Sequence, residues 1–398
     1  MQKKVAILSL DNQDLHYDSR VLRQVRSLSS RYRVSVISYG DAQRQIEAPY
    51  EQLHIVGSLN RQKWLRRMST ALFLPLGKFL PRLAYETWYW LRPGHRQALT
   101  LLKKIKPDFI HANDWWSLPA AVKGARASHT RIILDLHEYA LDELSDNPWW
   151  RWFYQPLVAY FFKHYLRAAD AYITVNDRIA GRYKDEFGIE AKVVRNVPEG
   201  VDGIGFTPLR DGKIRLVHHG VAMRVRSLDL LVDVVRLLDE RFTLTFMLVG
   251  GESYIRQLHR YAEATAPGRV LFIPPVRPKQ VVSKLAEYDM GLLIYPSQSF
   301  EFLASLPNKF FEFMMAGLAV CVGPSPEMVK FLEQYPFGVI APSFSAQDVA
   351  KTLNALDGNA INVFKRQAIA ARKQVNAVIE MEKLLQVYAD LVAKSASQ

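Results

Sequence analysis

What most constrains this chain is an alternation, sustained over most of its length, between short β-branched runs and segments with helical spacing. Lys4 to Leu10 reads as a buried strand, and the following DSRVLRQVRSL places Val21, Leu22, Val25 and Leu28 on one helix face. Val34 to Ser38 is the next strand. PDFIHA, RIILDLHEY and DAYITV continue the series, each ending in polar residues at the carboxyl end, where open parallel sheets present their ligands. The second half repeats the scheme with IRLVHHG, TLTFMLVGG, RVLFIPPV, MGLLIYP and LAVCVG, separated by helical stretches such as SLDLLVDVVRLLDE and PKQVVSKLAEY. GVIAP is the last strand-like piece, and only helices follow it.

Such a rhythm predicts parallel sheets covered by helices. At 398 residues the chain also exceeds what one core serves, since cores stop growing near roughly 250 to 300 residues. Two α/β domains of similar size are therefore expected. PEGVDGIGFTPLRDG packs two Pro and four Gly into fifteen residues, the composition of a linker. The expected division is an N-terminal domain over 1–198, a linker over 199–212 and a second domain over 213–375. A C-terminal helical segment over 376–398, with a long amphipathic stretch from Ala377 to Ala393, is expected to pack back on the first domain.

Several classes are excluded by what the strand ends lack. A dinucleotide-dependent dehydrogenase needs Gly-x-Gly-x-x-Gly after its first strand, but that loop here is SLDNQDLHYDSR, without glycine. A Walker loop is absent, as is an Asp-x-Asp that would hold a divalent metal against a diphosphate. Apolar runs such as 68–77 and 152–162 are about half the ~20 residues that span a bilayer. The single cysteine, Cys321, cannot form an internal disulfide, and the opening MQKKVAILSLD is shorter in its apolar run than a secretory signal needs. A cytoplasmic protein is expected.

The net charge of +13 is unevenly placed. Residues 1–200 hold 30 Lys and Arg against 20 Asp and Glu, leaving 22 against 19 for the rest. Within 51–107, eleven bases (Arg61, Lys63, Arg66, Arg67, Lys78, Arg82, Arg92, Arg96, Lys103, Lys104, Lys106) face only Glu51 and Glu86. They are interleaved with Trp64, Phe73, Phe79, Tyr85, Trp88, Tyr89 and Trp90, a mixture that suits an anionic membrane surface better than a solvated face. A nucleic-acid surface also combines charge and aromatics, yet no recognition motif accompanies this one, so none is expected. Residues 149–165 carry nine more aromatics, and read equally well as a core helix or a membrane edge.

Two segments of the second half carry chemistry. HHGVAMRVRSLDLL runs from strand through Gly220 toward a helix and sets Arg224 and Arg226 just ahead of its amino end, where a diphosphate would meet both guanidiniums and the helix dipole. A solvated surface pair is the other reading. In SLPNKFFEFMMAGLAV, Pro307 and Asn308 start a helix, and Glu312 lies one turn inside an otherwise apolar face. A carboxylate there needs partners: ligand hydroxyls are one answer, Lys309 three residues earlier the other.

Taken together, YDSRVLRQVRSL, PDFIHANDWWSLPAA, LDLHEY, AADAYITVNDRIA, VVRNVP, HHGVAMRVRSLDLL, FMLVGG, SLPNKFFEFMMAGLAV and LLQVYADL resemble, in their order, a GT-B glycosyltransferase of family 4, the retaining, nucleotide-sugar-dependent type. The resemblance implies an α/β GT-B fold: two Rossmann-like domains facing across a cleft, with the C-terminal helix returning to the first. It implies that Arg226, with Arg224 as neighbour, stabilises the departing diphosphate, and that Glu312 binds the nucleotide ribose. The backbone at Leu306, Pro307 and Asn308, followed by Lys309, would face the donor phosphates, with Gly220, Gly250 and Val276 on the donor loops.

On the acceptor side, His137 resembles the family histidine near the reacting carbon, with Glu138 beside it. Asp18, Ser19, Arg20 and Asp114 are acceptor-pocket candidates. One departure is plain. The family often carries a second glutamate eight positions before that of Glu312, and here that position is Ala304, with Glu301 out of register. The resemblance implies no metal and no cofactor, the nucleotide sugar being a substrate. It points to a saccharide or lipid-linked acceptor in surface polysaccharide synthesis at the inner face of the cell membrane. A GT-B epimerase and a non-enzymatic membrane or nucleic-acid binder are the competing readings.

Overall fold

The structure is a computed structural model that describes residues 2–11, 15–40, 46, 48–57, 63–126, 130–296 and 299–396. It divides into one unit of Met1–Arg195 with Glu380–Gln398 and a second of Asn196–Ile379.

Unit 1 is built on seven strands: β1 (Lys4–Ser9), β2 (Arg33–Ser38), β3 (Gln52–Ile55), β4 (Phe109–Asn113), β5 (Arg131–Leu136), β6 (Ala171–Thr174) and β7 (Ala191–Val193). Their order is β3-β2-β1-β4-β5-β6-β7 and every pairing is parallel. Helices α1 (Ser19–Ser29), α2 (Lys63–Leu76), α3 (Pro81–Trp90), α4 (Pro93–Ile105), α5 (Asp114–Ala125), α6 (Pro148–Tyr165) and α7 (Asp177–Phe187) connect them. The central strands are mostly apolar and buried along most of their length, as strands covered on both faces tend to be, with His111, Asn113 and Asp135 the buried polar exceptions in β4 and β5. The edge strands β3 and β7 escape a reading of the sequence because they are short and half-buried, without a continuous β-branched run.

Unit 2 has six strands, β8 (Ile214–Val221), β9 (Phe242–Val249), β10 (Val270–Ile273), β11 (Met290–Leu293), β12 (Ala319–Val322) and β13 (Gly338–Ile340), again all parallel, in the order β10-β9-β8-β11-β12-β13. Its helices are α8 (Leu228–Leu237), α9 (Glu252–Thr265), α10 (Val281–Leu285), α11 (Phe300–Leu303), α12 (Asn308–Met315), α13 (Pro326–Gln334), α14 (Ala346–Asn354) and α15 (Gly358–Gln374). Residues 199–212, expected as a linker, group with this unit. Leu209 packs against its core, and the Leu209 N–H donates to Asn362 Oδ1 at 2.9 Å.

The last helix, α16 (Ala377–Ala396), contributes Met381, Leu384, Leu385, Val387, Tyr388 and Leu391 to the core of unit 1, beside Val5, Ile7, Val25 and Phe109. Tyr388 is fully buried there, its hydroxyl 2.9 Å from His111 Nδ1. The aromatic stretch 149–165 supplies both core and surface. Trp150, Leu157, Val158, Phe161 and Phe162 are buried, whereas Trp149 and Trp152 face outward. Among the described residues, no helix is long and apolar enough to cross a membrane.

Candidate functional site

Each sheet reverses its strand order once, between β1 and β4 in unit 1 and between β8 and β11 in unit 2. A crevice opens outside the carboxyl ends of the strands at such a point, where open α/β sheets bind ligands. Nearly all the candidate residues lie at these two places.

In unit 2, β8 ends in His218, His219 and Gly220. Gly220 has φ +109, and a side chain there would bring its Cβ to 3.2 Å from Lys309 Nζ. Glycine thus admits the Lys309 ammonium against the end of the strand. Lys309 is 7% exposed, 3.4 Å from His218 Nε2 and 5.7 Å from the centre of the Tyr295 ring. Burial, then the charge of Arg226, pushes its ammonium down to about 7, with Glu312 pulling the other way. Burial and the neighbouring lysine hold both histidines neutral: His218 lies well below the usual range and His219 is pushed down to about 3. His219 Nε2 is 3.3 Å from Glu312 Oε2, a polar approach to a neutral ring rather than an ion pair.

Arg224 and Arg226 form a 3-10 turn ahead of α8. Arg224 is exposed, stacked 4.9 Å from the Tyr254 ring centre and bonded to Gln257, while Arg226 Nη1 donates to the Val221 carbonyl at 3.2 Å. Pro307 precedes α12 and brings no capping side chain to its first amides, and Asn308 is exposed beside them. Leu306 and Val276 are partly buried against the core, so they offer backbone rather than side chain. Gly250 and Gly251 turn the chain after β9, and at Gly251 a Cβ would lie 2.6 Å from the Ala222 carbonyl oxygen. Ala304 is fully buried.

In unit 1 the centre is Asp135, wholly buried in β5. Arg20 grips it with two bonds, from Nε at 2.7 Å and Nη2 at 2.8 Å, and Gln24 Nε2 donates to it at 2.5 Å. Burial opposes this charge, but Arg20 and then His137 hold the carboxyl well below its usual range. Both ring nitrogens of His137 are taken: Nδ1 lies 2.9 Å from Asp114 Oδ2, and Nε2 lies 3.2 Å from Asp135 Oδ2 and 3.2 Å from Asn113 Oδ1. Burial pulls its pKa down, yet Asp114 and Asp135 hold it well above the usual value, so the ring is an imidazolium. Asp114 itself takes a left-handed φ of +56, and accepts from the His137 N–H at 3.1 Å.

These contacts reassign two acceptor candidates. Arg20 is 3% exposed with its third bond to the Val194 carbonyl, so it positions Asp135 and is closed to an acceptor. Asp18 caps α1, accepting from the amides of Arg20 and Val21. Ser19 accepts from Arg23 at 3.4 Å. Carboxylates crowd the same strand ends: burial and then Asp114 push Asp11 up to about 7, while burial, Glu138 and Asp114 push Glu143 up to about 8. Dense surroundings and Asp114 push Glu138 up to about 7, but its side chain reaches water, which weakens that shift. Among the described residues no group of three His, Cys, Asp or Glu is arranged to hold a metal ion.

Asp135, Asn113, His218, His219 and Tyr295 were missed in the sequence. A carboxylate inside the buried run RIILDL was the available signal, since it demands a charged partner. That the partner is Arg20, 115 residues earlier, is knowledge only the fold supplies.

Residues 19–203 match the family described as Glycosyltransferase Family 4, and residues 213–358 match that described as Glycosyl transferases group 1. The chain belongs to the family 4-like glycosyltransferases. Solved structures agree in fold. Anabaena HepE in complex with UDP-glucose is 13% identical with a TM-score of 0.68, covering 98% of this chain and 100% of that one. Sucrose-phosphate synthase from Thermosynechococcus elongatus is 15% identical at TM-score 0.67, covering 98% and 100%. The α,α-trehalose 6-phosphate synthase from Burkholderia multivorans is 11% identical at 0.65, covering 100% and 98%. This glycosyltransferase therefore has the GT-B fold. A search of curated proteins finds no significant match.

Proposed function

We propose that this glycosyltransferase moves a sugar from a nucleoside diphosphate sugar to an acceptor hydroxyl with retention of configuration. The observation that carries the donor half is the cationic cradle of unit 2, where Lys309 and Arg226 meet the uncapped start of α12 beside Gly220. The same arrangement suits a leaving diphosphate. As the C1–O bond breaks, negative charge grows on the phosphate oxygen, and preorganised cations and amides stabilise it without reorganisation. Glu312, at the next turn of α12, receives ribose hydroxyls. UDP and UDP-glucose in the HepE structures support a donor of this class.

His137 is the residue nearest to a catalytic assignment in unit 1, but with both nitrogens engaged it has no lone pair with which to take a proton. Its role is electrostatic, and the acceptor proton passes to the departing phosphate on the same face, the route that retains configuration. Asp114, Glu138 and Asp11 offer carboxylate oxygens to acceptor hydroxyls. Protein cations balance the donor charge, so activity should survive removal of divalent metal by EDTA.

We place the acceptor on a lipid-linked saccharide of a surface polysaccharide pathway, met at the anionic inner face of the cell membrane; the unopposed bases within 51–107 support this. The deciding experiment incubates the protein with radiolabelled nucleoside diphosphate sugars, with and without lipid-linked saccharides, and reads the product anomer by NMR. A donor altered without acceptor makes the protein an epimerase; an inverted anomer overturns retention.

A further inference from the structure

The basic segment divides once folded. Arg92 is buried with its guanidinium 3.6 Å from the centre of the Trp88 ring. Lys103 and Lys104 close the last turn of α4, where they complement the helix dipole. Arg61 lies outside the described residues, as do the side chains of Lys63 and Arg66.

Arg67 on α2, and Arg96 and Lys106 on α4 and its C-cap, are exposed, and the remaining two bases, Lys78 and Arg82, stand at a tip between α2 and α3. Residues 78–83, Lys-Phe-Leu-Pro-Arg-Leu, are exposed without a break, with Phe79 at 82% and Leu83 at 62%. The outward edge of α6 adjoins it: Trp152 is 64% exposed, and Lys78 Nζ sits 3.9 Å from the centre of its ring and 5.3 Å from that of Phe153. α6 packs on both α2 and α3, and α2 adds the exposed Trp64, Met68 and Leu72. A run of exposed aromatic and aliphatic groups on this scale marks an interaction surface.

The charge of the face selects the partner. Residues 63–83 and 148–165 contain no Asp or Glu. Glu86, the nearest acid in sequence to the tip, turns away to bond Lys123, Trp90 and Tyr165, and the nearest to α6 is the exposed Asp146, two residues before the helix begins. Lys78, Arg82 and Arg151 thus outnumber the single acid at the margin of this face and stand among protruding apolar groups, the pattern of an interfacial anchor in which headgroups meet the bases and apolar groups insert shallowly.

We propose that the Lys78–Leu83 tip and the outward edge of α6 form one face that docks on an anionic bilayer, with Phe79, Leu83 and Trp152 entering the interface and Lys78, Arg82 and Arg151 meeting headgroups. This rests on the membrane-borne acceptor proposed above, and adds to it the second aromatic stretch and the residues that insert.

Flotation with phosphatidylcholine vesicles, with and without phosphatidylglycerol, tests it. The protein should float with the anionic vesicles. Alanine at Lys78, Arg82 and Arg151 together should weaken that binding on the order of a hundredfold, most visibly at low salt. Serine at Phe79, Leu83 and Trp152 should also release it, with thermal melting and nucleoside diphosphate affinity unchanged. Brominated lipid should quench wild-type fluorescence more than that of Trp152→Phe. Failure of the wild type to float, equal flotation of the variants, or equal quenching overturns the proposal. Transfer to a water-soluble saccharide is read separately, so a protein that transfers sugar without floating loses only the membrane face and membrane-borne acceptor, and one that floats without transferring loses only the enzymatic reading.

Discussion

The two units share a topology and differ in the sign of what they gather at its turning point. In unit 2, two arginines and a buried lysine surround strand ends whose histidines are neutral, with Glu312 as the facing acid. In unit 1, Asp11, Asp114, Asp135 and Glu138 crowd around a single imidazolium, with Glu143 behind them. Parallel order fixes where a ligand sits; side chains at the strand ends fix which ligand it is. A cationic crevice receives a diphosphate, and an acidic one receives hydroxyl donors.

The largest effect is expected where charge is most deeply buried. Asp135→Asn leaves Arg20 and His137 without their shared counter-charge, and breaking a buried pair of this kind costs about 3–5 kcal/mol. Thermal unfolding should show that loss near neutral pH, and His137 should titrate at lower pH by NMR. The signs are separable. His137, raised in the fold, contributes stability that is complete below its unfolded value and is lost as pH rises through its folded one. Asp135, depressed in the fold, contributes stability that is present above its unfolded value and lost as pH falls through its folded one. A variant as stable as wild type, with an unmoved His137 titration, removes Asp135 from the centre of unit 1.

On the proposed donor side the expected effects are catalytic before they are structural. Arg226→Ala should lower kcat by about 10²–10³ with the fold intact, the usual loss when a donor to developing charge is removed. A variant of near-normal activity would sink that assignment. Glu312→Ala should weaken nucleoside diphosphate binding on the order of tenfold, the worth of hydrogen bonds to a charged group. Calorimetry reads this directly, and unchanged affinity would place the ribose elsewhere.

Eleven of the thirteen strands lie in runs that stand out in the sequence, because a strand buried on both faces must be apolar throughout. β3 and β7 do not: as edge strands they are exempt from that demand, and unlike the edge strands β10 and β13 they carry no continuous apolar run. The candidate donor residues could be picked out because Arg224, Arg226 and the Pro307–Glu312 stretch are local patterns, and the fold brings them to the strand ends of unit 2. Unit 1 was harder to read. Arg20 and Asp18 look like ligand groups at a helix start, and only the fold shows that one is spent on Asp135 and the other on capping α1. The aromatic stretch 149–165 was ambiguous because a single helix supplies both core and surface, and side-chain direction is invisible in composition.

The smallest effect tests the comparison most finely. With its ammonium at about 7 in the free protein, Lys309 is partly neutral at physiological pH. A bound diphosphate favours the charged form, so binding should draw in a proton. Affinity should then be full below about 7 and fall above it, by at most about tenfold per pH unit. The surrounding groups leave this window clear. His218 and His219 are already neutral, and Tyr295 is pushed up to about 12. Calorimetry near pH 8 in buffers of different ionisation enthalpy should detect proton uptake. Lys309→Arg, whose charge is permanent, should abolish it and leave only the titration of the nucleotide itself. Identical profiles for the two proteins would mean that Lys309 is a buried core lysine and that the cationic side of the comparison rests on the two arginines alone.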